Sequence, residues 1–220
     1  MKKSNQEIEI PRGFIIFISG VPGVGKTTIS YELLKRYNEF RIIEETDLVR
    51  EVLRGYNDFL KEKFNYKVDF IFDEIYITNH TKLLSFNEAK EQCYFMKRSF
   101  EKIIGRQQRK GIPTIINGVH IIPELLNGLQ NNNNIMFINL YVTDKKIIYN
   151  RIKNRNPTSY MLDHVQFIYE ANIDLYNSTM RLSDEKEFVF NNIDVTNLSI
   201  DETLNIIMSC VSNRVNNTLM

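Results

Sequence analysis

The sequence predicts an α/β fold: a doubly wound, five-stranded parallel sheet flanked by helices, with a helical insertion and a short lid. Three observations predict it. The apolar run over 14–19, "FIIFIS", passes straight into a glycine-rich turn, "GVPGVGKT", and from there into helical periodicity. Short apolar strands then alternate with longer helical patterns, the rhythm of parallel strands joined by right-handed crossovers. No Pro-, Gly- or Ser-rich linker divides the 220 residues, and that length suits one domain, 1–220, with a sizeable core.

The elements follow in order. The first strand is apolar at nearly every position, as expected of a strand buried on both faces of a parallel sheet. The glycine turn leads into a helix ending near Tyr37, and "RIIEE" at 41–45 reads as a second strand. "TDLVREVLRGY" reads as a helix opened by Thr46 or Asp47 and stopped by Gly55. Residues 56–84 break the rhythm by mixing aromatics with charges, and read as an insertion over the site, as core-packing helices, or as both. Ser85 and Glu88 make a capping box for the longest helix, 85–110. Its apolar stripe runs through Ala89, Cys93, Met96, Phe100, Ile103 and Gln107, and Gly111-Ile112-Pro113 ends it. Strands are predicted at 114–116, 135–142 and 187–192, and helices at 144–155 and 163–181. Ser199 and Glu202 cap a final helix with Leu204, Ile207 and Val211 on one face.

Bulk properties narrow the partners. A net charge of +1 offers no field to attract nucleic acid or an anionic membrane. Cys93 and Cys210 are the only cysteines, match no metal spacing and fall on apolar helical positions, so both read as buried free thiols. "MKKSNQEIEI" is too polar for a secretory signal, and the apolar run after it is far too short to span a bilayer. The expectation is a cytoplasmic protein with no membrane partner.

The chemistry starts at Gly20–Thr27, a full G-x-x-x-x-G-K-[ST] match with a buried strand before it and a helix after it. The backbone around Gly20, Gly23, Val24 and Gly25 can curl so that its N–H groups face an anion, and the helix start adds its dipole. Lys26 supplies a charge for the outer phosphates, Thr27 a hydroxyl for Mg²⁺, and Thr28 a further phosphate contact. A GTPase would need N-K-x-D and D-x-x-G, which the sequence lacks. A motor would carry an acidic pair where the third strand instead ends in Asn117-Gly118. What remains is a small-molecule kinase, whose catalysis is mostly positioning and charge neutralisation.

Two further elements support that class. Asp47 falls at the carboxyl end of the second strand, where an acid can take the proton of an attacking hydroxyl and support Mg²⁺; it also reads as a helix N-cap. Arg50, one turn on, can bind an anionic substrate. Arg151 and Arg155 share one helix face and read as lid arginines over 151–163, or as a solvated basic face beside Lys153. His120, after the third strand, reads either as a substrate contact or as a structural hydrogen-bonder.

These stretches carry a resemblance. "GVPGVGKTTIS", "ETDLVREVLR", "RQQRKGIPTIINGVHIIPELL" and "YNRIKNRN" make the chain similar to P-loop kinases of the nucleotide-kinase superfamily. Within them it most resembles the catalytic domain of archaeal 2-phosphoglycerate kinase. The resemblance covers most of the chain and implies ATP, Mg²⁺ and phosphate transfer to a hydroxyl of a small, often phosphorylated acceptor. It implies Asp47 as base, with Arg50 and His120 near the acceptor, and places Asn191 or Asn192 against adenine. One departure stands out: the family pattern has Glu before Gly-Val-His, and this chain has Asn117. Two other readings keep the loop: a kinase acting on a polynucleotide 5′-hydroxyl or a nucleotide sugar, and a non-catalytic ATP-binding regulator.

Overall fold

The computed structural model describes residues 9–64, 85–122, 124, 126, 129, 134–184 and 190–216. Five strands, β1 (Ile15–Ser19), β2 (Ile42–Glu45), β3 (Thr114–Gly118), β4 (Ile135–Tyr141) and β5 (Phe190–Asp194), form one sheet in the order β2-β3-β1-β4-β5. Every pairing is parallel. The helices are α1 (Lys26–Arg36), α2 (Thr46–Phe64), α3 (Phe86–Lys110), α4 (Lys145–Arg155), α5 (Val165–Asp184) and α6 (Ile200–Asn216), with a 3₁₀ turn at Tyr160–His164.

The central strand shows why its sequence is apolar throughout. Side chains alternate across a strand, so Ile16 and Ile18 join the core cluster that includes Ile29, Ile148 and Ile207, from α1, α4 and α6. Ile15 and Phe17 join the opposite cluster with Met96, Phe100 and Leu175, from α3 and α5. Phe17 also stacks on Phe137 of β4 at 4.7 Å between ring centroids. This two-sided burial fixes β1 in the middle of the sheet and delivers the glycine turn at its carboxyl end, where open α/β sheets bind ligands.

Both predicted capping boxes are present, Ser85 with Glu88 on α3 and Ser199 with Glu202 on α6. Some limits and one core position differ. The second helix does not stop at Gly55 but runs to Phe64. Gly55 is exposed and has no neighbour that a Cβ would meet, so it is only a weak point of about 1 kcal/mol, and Val49 and Leu53 keep the helix against the core. Residues 56–64 of the expected insertion are therefore helix, and the remainder of 56–84 lies outside the described residues. On α3 the fully buried position is Ile104, with Ile103 only partly buried. The last strand runs on to Asp194, two residues past the expected end at 192, because its ladder with β4 aligns Asp194 with Tyr141; the expected start at 187–189 lies outside the described residues.

Candidate active site

The glycine turn forms the mouth of a cavity of about 670 Å³ at the carboxyl ends of the strands. Gly25 is the N-cap of α1 with φ 103°, in the left-handed region where only glycine is unstrained. It brings no side-chain cap, and the first turn of α1 holds no acidic residue, so the helix N-terminus is open to an anion. Thr27 and Thr28 are exposed into this cavity. Lys26 is buried and donates from Nζ to the Val21 carbonyl at 2.9 Å. Burial lowers its pKa to about 8, with Asp47 opposing, Arg155 reinforcing and Glu45 opposing. The lysine thus faces both carboxylates and a guanidinium across the cavity.

Arg151 and Arg155 both line the same space. Arg151 is no freely swinging side chain. Its Nη1 donates to the Val24 carbonyl at 3.0 Å and its Nη2 to the Val195 carbonyl at 2.7 Å, so it straps the loop after β5 to the glycine turn. Arg155 is exposed on the next turn of α4. The far wall is made by Val195 and Leu198.

Asn192 does not belong to that wall. Its Oδ1 accepts from Asn139 Nδ2 at 2.9 Å and from Thr179 Oγ1 at 2.7 Å, inside β5 and against α5. The strand's end at Asp194 puts the β5–α6 loop, not Asn192, beside the large cavity, and Asn192 holds sheet to helix.

His120 is fully buried and lines neither cavity described here, which fits the structural hydrogen-bonder of the two sequence readings. Its Nδ1 lies 2.9 Å from Thr46 Oγ1 and its Nε2 3.4 Å from Arg50 Nη1. A guanidinium only donates, so Nε2 is the acceptor and Nδ1 carries the proton. Burial pushes His120 down to about 4, with Asp47 opposing and Arg50 and Lys26 reinforcing, which keeps the ring neutral. Gly118 makes room for this junction: a Cβ there would sit 1.6 Å from Thr46 Oγ1. His120 thus orients Arg50 and the start of α2 from behind.

Asp47 is 63% exposed, with Oδ1 3.7 Å from Arg50 Nη1 and 3.7 Å from His120 Nδ1. It borders the large cavity and a second, adjoining one of about 210 Å³. The two cavities meet at Pro22, Asp47, Val119 and Met161. Asn117 also borders the large cavity, and its Nδ2 donates to Ser30 Oγ at 3.0 Å. Its neighbour by register is Glu45 on β2. Sequence reasoning missed Glu45. The signal was alternation: Glu44 is turned to Gln107 of α3, so Glu45 faces the other side and lines the cavity.

Among the described residues no group of three or more His, Cys, Asp or Glu forms a ready metal cluster. Thr27, Glu45 and Asp47 instead present one hydroxyl and two carboxylates to one cavity, a hard-oxygen set suited to Mg²⁺ that keeps most of its ligands as phosphate and water. The described residues contain no helix long and apolar enough to cross a membrane.

An open glycine loop at a helix N-terminus, a buried lysine and a parallel sheet of this order define a P-loop nucleotide-binding domain. A family model described as an AAA domain matches residues 16–167, well over half of the chain, and the chain belongs to that family. It is similar to the 2-phosphoglycerate kinase of Methanococcus maripaludis strain C7, at 28% identity over 218 residues, covering 92% of this chain and 66% of that one. It is likewise similar to the 2-phosphoglycerate kinase of Pyrococcus horikoshii, at 25% identity, covering 92% and 65%. The chain therefore spans just under two thirds of the length of these relatives. In fold it matches thymidylate kinase from Candida albicans, with a TM-score of 0.56 at 15% identity and 94% of each chain covered. A gluconokinase from Sinorhizobium meliloti matches with a TM-score of 0.56 at 13% identity, covering 94% and 96%.

Proposed function

We propose that the protein is an ATP-dependent kinase that moves the γ-phosphoryl group to a hydroxyl of a small molecule. The observation that carries this reading is the position of Asp47, on the border between the cavity at the glycine turn and an adjoining one of about 210 Å³. In the donor cavity the open end of α1, Lys26 and Arg155 gather positive charge where the triphosphate would lie. Arg151 keeps the β5–α6 loop at a fixed distance from the glycine turn and so sets the width of the nucleotide slot. Thr27 would hold Mg²⁺ directly, with Asp47 and Glu45 on its water shell; Glu45 offers the carboxylate that Asn117 does not. Bound Mg²⁺ would neutralise phosphate charge.

The acceptor hydroxyl, lying between the two cavities, gives its proton to Asp47 as its oxygen bonds to phosphorus. The bond from phosphorus to the bridging oxygen breaks and ADP leaves. Arg50, fixed by neutral His120, steadies the Asp47 carboxylate. The residues from Arg151 to Asp163 form the lid of this reading, and Tyr160 and Met161 in it line the acceptor cavity.

The relatives' name makes 2-phosphoglycerate the first acceptor to assay. The test is transfer of label from γ-labelled ATP, with Mg²⁺, to a panel of small alcohols, with an oligonucleotide bearing a 5′-hydroxyl as a separate arm. Transfer to a small alcohol is expected. Tight ATP binding with no transfer to any acceptor would favour a nucleotide-binding regulator, and transfer to the oligonucleotide alone would favour a polynucleotide kinase.

A further inference from the structure

The cavity beside Asp47 says what kind of acceptor it takes, given the kinase reading above. Its walls are apolar: Phe86, Ile122, Met161, Ile168 and Leu175, with Tyr160 at the opening. Among the described residues lining it, Arg50 is the only cation, and Asp47 lies in the same wall. Arg50 is only 21% exposed and already engaged, with Nη1 3.7 Å from Asp47 and Nε 3.2 Å from Glu51. Arg54 shares that same Glu51 oxygen at 3.2 Å. Among the described residues paired around Arg50, two carboxylates, Asp47 and Glu51, face two guanidiniums, Arg50 and Arg54.

Among the described residues, the helix N-terminus that meets this cavity at Ser85 does not stand open to an anion as that of α1 does. The N-terminus of α3 meets the cavity through Ser85 and Phe86. Unlike the open end of α1, it carries its own anion: the Glu88 carboxylate accepts from the Ser85 backbone N–H at 2.8 Å, and the Ser85 hydroxyl accepts from the Glu88 N–H at 3.2 Å. Lys26 and Arg155 lie in the donor cavity, where a triphosphate would engage them, and Arg151 is held there by the Val24 and Val195 carbonyls. A phosphorylated carboxylic acid carries about three negative charges near neutral pH, one on the carboxylate and up to about two on the phosphate. Burying charges without partners is unfavourable.

We propose that the acceptor is an alcohol with an apolar or aromatic body and at most one anionic group. The body fills the apolar walls, the single anion when present meets Arg50, and the hydroxyl is directed at Asp47. The cavity volume of about 210 Å³ sets a small molecule, since pockets for drug-sized ligands start near ~300 Å³.

The experiment compares two acceptor sets with the full chain and MgATP. One set holds small aromatic and branched alcohols and hydroxy acids; the other holds 2-phosphoglycerate and further phosphorylated hydroxy acids. The best acceptor of the first set is expected to exceed 2-phosphoglycerate by at least ~100-fold in kcat/KM. Tyr160→Lys, at an exposed position of the rim, is expected to narrow that gap by ~10-fold by adding a cation. A 2-phosphoglycerate kcat/KM above that of every first-set member would overturn the inference and leave the kinase reading standing. If neither set is phosphorylated, the kinase reading fails, and calorimetric binding with a non-hydrolysable ATP analogue still judges the cavity. Tighter binding of the first set then supports the inference, and tighter binding of the phosphorylated acids overturns it.

Discussion

Gly118 and Thr46 share a space that holds only one of them plus a hydrogen. A Cβ at 118 would lie 1.6 Å from Thr46 Oγ1 and 2.7 Å from Thr46 Cβ, so Gly118→Ala forces β3 and α2 apart at the point where His120 bonds Thr46. Overpacking of this kind costs about 1–3 kcal/mol, and thermal unfolding of the variant should fall by the corresponding amount. Adding Thr46→Ala should restore only part of the loss, because the Cβ at 46 remains. Nothing in the string Asn-Gly-Val-His announces this contact. The glycine is legible as a strand-end breaker, but the partner that demands it is 72 residues away in the chain, and only the β2–β3 pairing brings them together. His120 is the same case. A histidine after a buried strand reads equally as ligand or scaffold in the sequence, and its complete burial between Thr46 and Arg50 is visible only in the fold.

Elements whose cues are local were legible: β1 from its unbroken apolar run, α3 and α6 from their capping boxes, and α1 from the glycine turn that starts it. Elements whose limits depend on tertiary support were not. The end of α2 hinges on packing of Val49 and Leu53, and that packing outweighs the propensity cost of one exposed glycine. Gly55→Ala should therefore stabilise the protein by about 0.5–1 kcal/mol, read as a raised unfolding midpoint in denaturant; a lowered midpoint would mean that α2 does end at Gly55. The limits of β5 hinge on its register with β4. Asn191 and Asn192 look like turn formers in isolation, yet they sit in the ladder. That question sets which residue lines the large cavity, and it is Val195 that does.

Across the whole molecule, the sheet gathers the cleft from parts of the chain that are far apart: the glycine turn after β1, Glu45 at the end of β2 and Asp47 just past it, Asn117 near the end of β3, Arg151 and Arg155 after β4, and Val195 after β5. The same convergence buries a titratable ring beneath the site, and this gives the fold an acid sensitivity of its own. His120 sits at about 4 in the folded protein against an ordinary value near 6.5, so between those values the unfolded chain holds a proton that the folded one does not. Stability is fully present above about 6.5 and falls as the pH drops towards 4, by on the order of 3 kcal/mol. Denaturant unfolding of the wild type and of His120→Asn across this window should show a clearly shallower slope in the variant. Equal slopes would place the acid sensitivity elsewhere.

The account as a whole depends on Asp47 serving the chemistry and not the binding of nucleotide. Calorimetry of MgATP binding beside turnover with the best acceptor, in wild type and in Asp47→Asn, separates the two. ATP affinity is expected to stay within about threefold while turnover falls by at least ~100-fold, the loss of a positioned general base. Turnover within a few-fold of wild type would contradict the assignment of Asp47 and with it the proposed transfer between the two cavities.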